Sequence, residues 1–128
     1  MKCIIVDDEE SARAIIKELC ATIPKMEVVA EFPNALDALK FLRDNQVDLI
    51  FLDIHMPKLT GVDFVETVAN PPKVVFTTSD KDFAIEAYGY DFILDYLVKP
   101  ISVERFHKCA VKIHNEFQKI AINPEKEE

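Results

Sequence analysis

No stretch of this 128-residue chain approaches the ~18 uninterrupted apolar residues that a membrane-spanning helix requires. No membrane association is expected. The first apolar segment follows Met1 directly, leaving no room for a basic, apolar and small-residue export signal, so a cytoplasmic chain is expected. The cysteines Cys3, Cys20 and Cys109 are an odd, scattered set with no Cys-x-x-Cys pair and no histidine at ligand spacing. They read as reduced packing residues. Basic charge is also short. Lys and Arg number 15 against 23 Asp and Glu, a net charge of −8, which argues against direct nucleic-acid binding by this segment, because gripping a phosphate backbone needs clustered cations. Internal repeats are missing, and low complexity is confined to the Pro-Glu-Lys-Glu-Glu tail.

What is present suits one compact domain: 49 % hydrophobic and 30 % charged residues, in a chain long enough to bury roughly two thirds of its unfolded surface without disulfides or a structural metal. The stretch from Val47 to Gly61 organises it. Leu49 to Leu52 is a short apolar run of the kind that forms a strand covered on both faces. Asp53 follows at once. Pro57 cannot continue the strand and Gly61 permits a sharp turn, so a single acid is presented at the mouth of a loop.

The other segments alternate. Strands are expected at Lys2 to Val6, Val28 to Phe32, Val74 to Phe76 and Leu94 to Val98. A helix is expected over Ser11 to Ile23, its apolar stripe formed by Ala12, Ile15, Ile16, Leu19 and Ile23, with Glu9 and Glu10 at the positive end of its dipole and Pro24 at its close. Asn34 should cap a second helix with Ala35, Ala38, Leu39 and Leu42 buried. Val62, Val65, Val68 and Ala69 mark a third, closed by Asn70, Pro71 and Pro72. A fourth is expected from Asp80 to Tyr88, carrying Phe83, Ala84, Ala87 and Tyr88. The fifth starts near Ser102 and carries Val103, Phe106, Ala110, Ile113, Phe117 and Ile120. Strands and helices alternating in this way, with links of crossover length, predict an α/β fold: a parallel sheet with helices on both faces.

In such a sheet the residues just past the strand ends gather on one rim, where open α/β sheets place their ligands. Those residues are Asp7 and Asp8, Asp53, Thr78 and Ser79, and Lys99. Taken singly, an acid pair caps a helix, a Lys-Pro makes a surface turn and a Thr-Thr-Ser makes a loop. Their joint placement points to chemistry. Three carboxylates in one place repel, and a hard divalent cation relieves this, magnesium fitting best. With a lysine and a hydroxyl beside it, the set suggests phosphoryl transfer: Asp53 as nucleophile, Asp7 and Asp8 holding the metal, Lys99 offsetting charge and the Thr78 hydroxyl bonding a phosphoryl oxygen.

Four stretches, Val6-Asp7-Asp8-Glu9, Leu52-Asp53-Ile54-His55-Met56-Pro57 with Gly61, Phe76-Thr77-Thr78-Ser79, and Asp95-Tyr96-Leu97-Val98-Lys99-Pro100, resemble the receiver domains of bacterial two-component response regulators, over nearly the whole chain. The resemblance implies a (βα)5, flavodoxin-like sheet of strand order 2-1-3-4-5. It implies that Asp53 accepts phosphate from a sensor histidine kinase, that the His55 backbone carbonyl completes the metal site with Asp7, Asp8 and Asp53, and that Lys99-Pro100 is a cis peptide. Thr78 and Tyr96 become switch residues, and the fourth helix, fifth strand and fifth helix become the output face, through which a homodimer would form. His55, Ser79 and Asp80 would lie beside the phosphoryl group, with His55 and Asp80 bordering the path of the water that removes it. The wording from Phe76 to Tyr88 and from Asp95 to Pro100 is most similar to receivers that precede a LytTR-type DNA-binding domain. Compared with those, the chain is about one residue longer between Ala87 and Asp95, which predicts a bulge or an extra turn where strand five begins.

Residues 1–120 are thus expected to form the receiver and 121–128 a charged tail or the start of a linker to an effector domain. Phe117 and Ile120 could pack on the core or extend a helix into a partner contact. His107 and His114, seven apart, have no third ligand and read as surface or partner residues. Three alternatives frame the reading. An aspartate-nucleophile phosphatase wants a second acid two residues after its nucleophile, where this chain has His55. An unphosphorylated receiver-like binding module would typically lack one of the acids or the lysine, and none is lacking; a stand-alone receiver acting by protein-protein interaction is the third alternative.

Overall fold

In the computed structural model, which describes residues 1–80 and 91–122 with side chains to Lys119, five strands lie in the order β2-β1-β3-β4-β5. They are β1 (Lys2–Val6), β2 (Glu27–Phe32), β3 (Leu49–Asp53), β4 (Lys73–Thr78) and β5 (Ile93–Val98). Every neighbouring pair is parallel, as the alternation predicts. The helices among the described residues are α1 (Glu10–Cys20), α2 (Ala35–Asp44), α3 (Gly61–Thr67) and α4 (Val103–Ile122), the last being the fifth helix of the sequence reading.

Side-chain alternation divides the sheet into two cores. Ile4, Val6, Ile50, Leu52, Val74 and Phe76 pack with Ala35, Ala38, Phe64 and Val65 of α2 and α3. Cys3, Ile5, Leu49, Phe51, Val75 and Leu97 pack with Ile16 and Leu19 of α1 and with Phe106, Cys109 and Ile113 of α4. Central β3 is buried at every position because both neighbours and both helix layers cover it, which is why it reads as an unbroken apolar run. The Phe51 and Phe106 rings stack at 5.7 Å, and burying a ring such as Phe106 stabilises by ~2 kcal/mol. By the same alternation Asp7, Asp53 and Thr77, each one residue past a side chain of the first core, fall on the α1/α4 side of the rim.

Several local expectations need correction. Helix α1 ends at Cys20 and not at Ile23: the amide of Ala21 returns to Lys17 O at 3.1 Å and the Thr22 hydroxyl donates to Leu19 O at 2.6 Å, which closes the helix before Pro24. Its buried line is Ile16, Leu19 and Cys20, and Ile15 is 47 % exposed because only a narrow stripe of the helix touches the sheet. In α3 the buried residues are Gly61, Phe64 and Val65; Val68 is the C-cap and Ala69 is exposed. In α4 Val103 is 54 % exposed, and Cys109 takes a buried place between Phe106 and Ile113. Leu39 and Leu42 of α2 are only half-buried. The Asn34 cap holds, its Oδ1 accepting the Asp37 amide at 2.8 Å.

The start of β5 is irregular where an extra residue is expected. Val74 pairs with Ile93 but Val75 with Asp95, so Leu94 is the additional residue. Leu94 and Asp95 then face the same side of the sheet, Leu94 against the α1/α4 core and Asp95 toward Arg105 of α4. Phe92 and Tyr96 pack on the opposite face. At the far end of α4, Phe117 joins the core beside Ile23 and Met26, and Glu116 pairs with Lys73 at 3.4 Å, so this part of the helix packs on its own domain. The helix expected over Asp80 to Tyr88, with Phe83, Ala84, Ala87 and Tyr88, lies outside the described residues beyond Asp80, as do Tyr90 and the Ile120 side chain.

Candidate functional site

The C-terminal ends of β1, β3 and β5 converge. Asp7, one residue past β1, is wholly buried, and Asp53, the last residue of β3, is 4 % exposed. Asp8 is exposed beside them. One carboxylate oxygen from each of the three lies within 4.8 Å of the others. Lys99, just past β5, donates from Nζ to Asp7 Oδ2 at 2.8 Å, and the same ammonium stands 3.6 Å from Asp53 Oδ2 and 3.7 Å from Glu9 Oε1. Three separated segments thus share one pocket. The Lys99-Pro100 peptide is cis.

The carboxylates are oriented by the backbone. Asp7 Oδ1 accepts the Glu9 amide at 2.9 Å, and Asp53 Oδ1 accepts the His55 amide at 3.1 Å, which leaves Asp53 Oδ2 toward Lys99. Burial pushes the Asp53 carboxyl above its usual range and the Asp7 charge adds to this; Lys99 and the His55 amide pull it back only in part. For Lys99, burial works against the ammonium. The hydrogen bond to Asp7 and the charges of Asp53, Asp7 and Glu9 outweigh it, and the lysine lies above its ordinary value.

Above this set is an open cavity of about 460 Å³ whose walls include Asp8, Asp53, His55, Ser79, Asp80 and Lys99. His55, Ser79 and Asp80 therefore border the same space as the acid. Thr78 does not line it: the residue is fully buried, and its Oγ1 accepts the Asp80 amide at 2.9 Å. Tyr96 is half-buried on the other face of β5.

The loop after β3 departs from the expected turn at Gly61. Glycine 61 has no left-handed backbone; that conformation belongs to Lys58, at φ 71°. Glycine is needed at 61 for room. A Cβ there would lie 2.6 Å from Asp53 O and 2.9 Å from Ile54 Cα, and the Gly61 amide donates to Ile54 O at 2.9 Å. The start of α3 therefore rests on the backbone that carries Asp53, and the Thr60–Asp63 capping box fixes where the helix begins.

The family model described as "Response regulator receiver domain" matches residues 3–111. The chain belongs to the response regulator receiver family. Among its relatives, Protein MrkE of Klebsiella pneumoniae is 40 % identical over 116 residues, covering 88 % of this chain and 43 % of that protein. Transcriptional regulatory protein YpdB of Escherichia coli strain K12 is 39 % identical over 121 residues, covering 92 % and 49 %. This receiver spans about half the length of the curated relatives it matches. The crystal structure of the response regulatory domain of mrkE from Klebsiella pneumoniae superposes with a TM-score of 0.81 at 38 % identity, covering 93 % of this chain and 99 % of that one. The Vibrio cholerae chemotaxis protein CheY4, at 24 % identity and TM-score 0.72, shares the fold.

Within this receiver, sequence reasoning missed three contributors. Glu9 faces Lys99, Thr77 buries a hydroxyl with no hydrogen-bond partner among the described residues, and Arg13 of α1 donates from Nη1 to the backbone carbonyl of Asp7 at 2.8 Å. For Arg13 a signal existed: it sits six residues after Asp7, about one helical turn into α1, where a long side chain reaches back over the helix start. The three cysteines are free and buried, as expected of packing residues. Among the described residues no helix is long and apolar enough to cross a membrane.

Proposed function

We propose that this receiver accepts a phosphoryl group on Asp53 from a sensor histidine kinase, with magnesium at the acid cluster, and that the modified state is read out by its β5 and α4 face. The observation that carries the reading is a single ammonium, Lys99 Nζ, lying 2.8 Å from Asp7 and 3.6 Å from Asp53 beside three clustered carboxylates.

The donor set fits a hard cation. Asp7, Asp8 and Asp53 offer oxygens only, two of the three residues are buried, and a lysine now supplies the positive charge they need. These residues, with the His55 carbonyl, would hold magnesium, which when bound compensates negative charge on the carboxylates and the incoming phosphoryl oxygens. Asp53 Oδ2 forms the new bond to phosphorus as the bond to the kinase histidine nitrogen breaks. The His55 amide holds the other oxygen, so the nucleophile does not rotate. Lys99, 3.6 Å from Asp53 Oδ2, offsets the developing charge. Rotating the Thr78 hydroxyl toward a phosphoryl group breaks its bond from the Asp80 amide, which ties the switch to the β4 loop, and Tyr96 is the second switch residue of the proposal. His55 and Asp80, on the cavity wall, set the lifetime of the aspartyl phosphate through the attacking water.

The larger architecture belongs to the same proposal. Residues 1–120 act as the receiver and 121–128 as a tail or linker. Output is transcription through a LytTR-type DNA-binding domain outside this chain, with a cytoplasmic location and a homodimer through the output face. The wording from Phe76 to Tyr88 and from Asp95 to Pro100 supports the LytTR assignment, and the name of YpdB supports transcription.

Incubation with magnesium and acetyl phosphate, followed by intact mass, tests the reading. The parent gains one phosphate and Asp53→Asn gains none. No gain in either protein would favour the unphosphorylated binding module.

A further inference from the structure

Asp7 is held from an unexpected direction. Its amide donates to Phe32 O of β2 at 3.0 Å and its Oδ1 accepts the Glu9 amide, but its carbonyl lies past the last β1/β3 pair, Val6 with Leu52, beyond the sheet ladder. Arg13 fills that gap. Its Nη1 donates to Asp7 O at 2.8 Å while its Nε donates to Glu31 Oε1 at 2.9 Å, and the side chain is only 13 % exposed. Glu31 lies on β2 opposite Ile5, and Lys17, one turn further along α1, pairs with its second oxygen. The Lys17 and Arg13 hydrogen bonds hold the Glu31 carboxyl below its usual range. The guanidinium is thus a fork fixed on the β2 side by Glu31, with its other tooth on the backbone that presents Asp7 and Asp8.

We propose that Arg13, oriented by Glu31, is a positioning residue for the divalent cation site, setting where the Asp7 and Asp8 carboxylates stand. The inference rests on the phosphoacceptor reading and adds α1 and β2 to the machinery. Outer residues that orient carboxylate ligands matter to metal affinity because they fix geometry that the bare loop lacks. Arg13 touches neither the cation nor the phosphoryl group. Its sign separates positioning from field: a cation near an acid cluster repels metal, so deleting the charge alone would tighten magnesium binding, whereas losing the fork would weaken it.

The test is magnesium affinity read from melting temperature against magnesium chloride concentration, with acetyl phosphate labelling run in parallel. Arg13→Ala and Arg13→Lys should both bind magnesium about ten-fold more weakly than the parent, since lysine keeps the charge but loses the planar fork. Glu31→Ala should weaken binding in the same direction, and Arg13→Ala with Glu31→Ala should be no weaker than Arg13→Ala alone, because both remove one device. A structural role only would lower the metal-free melting temperature and leave the magnesium dissociation constant unchanged, and that result overturns the assignment. So does tighter binding in Arg13→Ala, or parental binding in Arg13→Lys. If the parent itself shows neither a magnesium shift nor a phosphate gain, the phosphoacceptor reading falls and the assignment with it.

Discussion

Lys99 reaches back across 92 residues of chain to place its ammonium 2.8 Å from Asp7. That contact joins the ends of the first and last strands at the rim of the sheet, and it makes the lysine the internal counter-ion of an acid cluster that would otherwise repel itself. A magnesium ion bound at these acids, as proposed, would compete with Lys99 for the same oxygens.

Substituting Lys99→Met removes that counter-ion and keeps most of the bulk. The metal-free protein should lose ~1–3 kcal/mol, since two buried carboxylates lose their lysine contact, and magnesium should bind more tightly and restore most of the loss. Labelling by acetyl phosphate should slow by about 100-fold, the usual order for removing one charge-stabilising donor. Parental labelling rates would remove Lys99 from the proposed chemistry.

Gly61→Ala should disturb Asp53 without touching its side chain. The added methyl would lie 2.6 Å from Asp53 O, and the obstruction is backbone, which cannot swing aside. We expect a loss of ~2 kcal/mol by overpacking together with slower phosphorylation. Urea unfolding and labelling kinetics measure the two separately; an unchanged rate would show that the loop can shift independently of β3.

Asp95 supplies a pH signature away from the acid cluster. It is wholly buried, and its carboxylate takes both arms of Arg105, at 2.7 and 3.0 Å, with Lys112 at 3.3 Å and the Tyr96 amide at 2.8 Å. Burial alone would raise its pKa, but the Arg105 hydrogen bonds, the Tyr96 amide and the Arg105 and Lys112 charges outweigh it, so the folded value lies below the ordinary one. A depressed folded value stabilises above the unfolded pKa of about 3.9, and that stability is lost as pH falls through the folded value. Arg105 is 35 % and Lys112 52 % exposed, so water offsets part of any lost pairing. Asp95→Asn should therefore cost ~2 kcal/mol near neutral pH, and the gap from the parent should narrow below about pH 4. A constant gap across acid unfolding curves would contradict this.

Thr77→Val is expected to stabilise. The Thr77 hydroxyl is fully buried and has no hydrogen-bond partner among the described residues, and valine has nearly the same shape without the desolvated group. A gain of ~1 kcal/mol, or about 3–5 °C in melting temperature, should appear in thermal unfolding. A lower melting temperature would mean that the hydroxyl has a partner, such as an internal water.

The strands, their parallel arrangement and the rim positions of Asp7, Asp8, Asp53 and Lys99 were legible because each follows from a local pattern: an apolar run, a polar stop and a crossover-length link. Element ends were less legible. Helix α1 closes at Cys20 because Ala21 and Thr22 satisfy its last carbonyls, and nothing in the apolar spacing that includes Ile23 reports that. Ile15 fits the stripe in sequence yet is half exposed, since periodicity gives the direction of a face and not its width. The bulge at Leu94 could be suspected only by counting residues against relatives, and pairing placed it.

By itself the amino-acid order determined a five-stranded α/β sheet and which acids, hydroxyl and lysine stand at its strand ends, because backbone geometry along each segment depends on neighbouring residues. Tertiary packing alone decided that Arg13 grips the Asp7 carbonyl, that Gly61 must be bare because it rests on Asp53, and that Asp95 is sealed beneath α4 by Arg105. Those three contacts link surfaces of different elements. Their distances follow from how helices settle on the sheet, and no periodicity within a single segment encodes that.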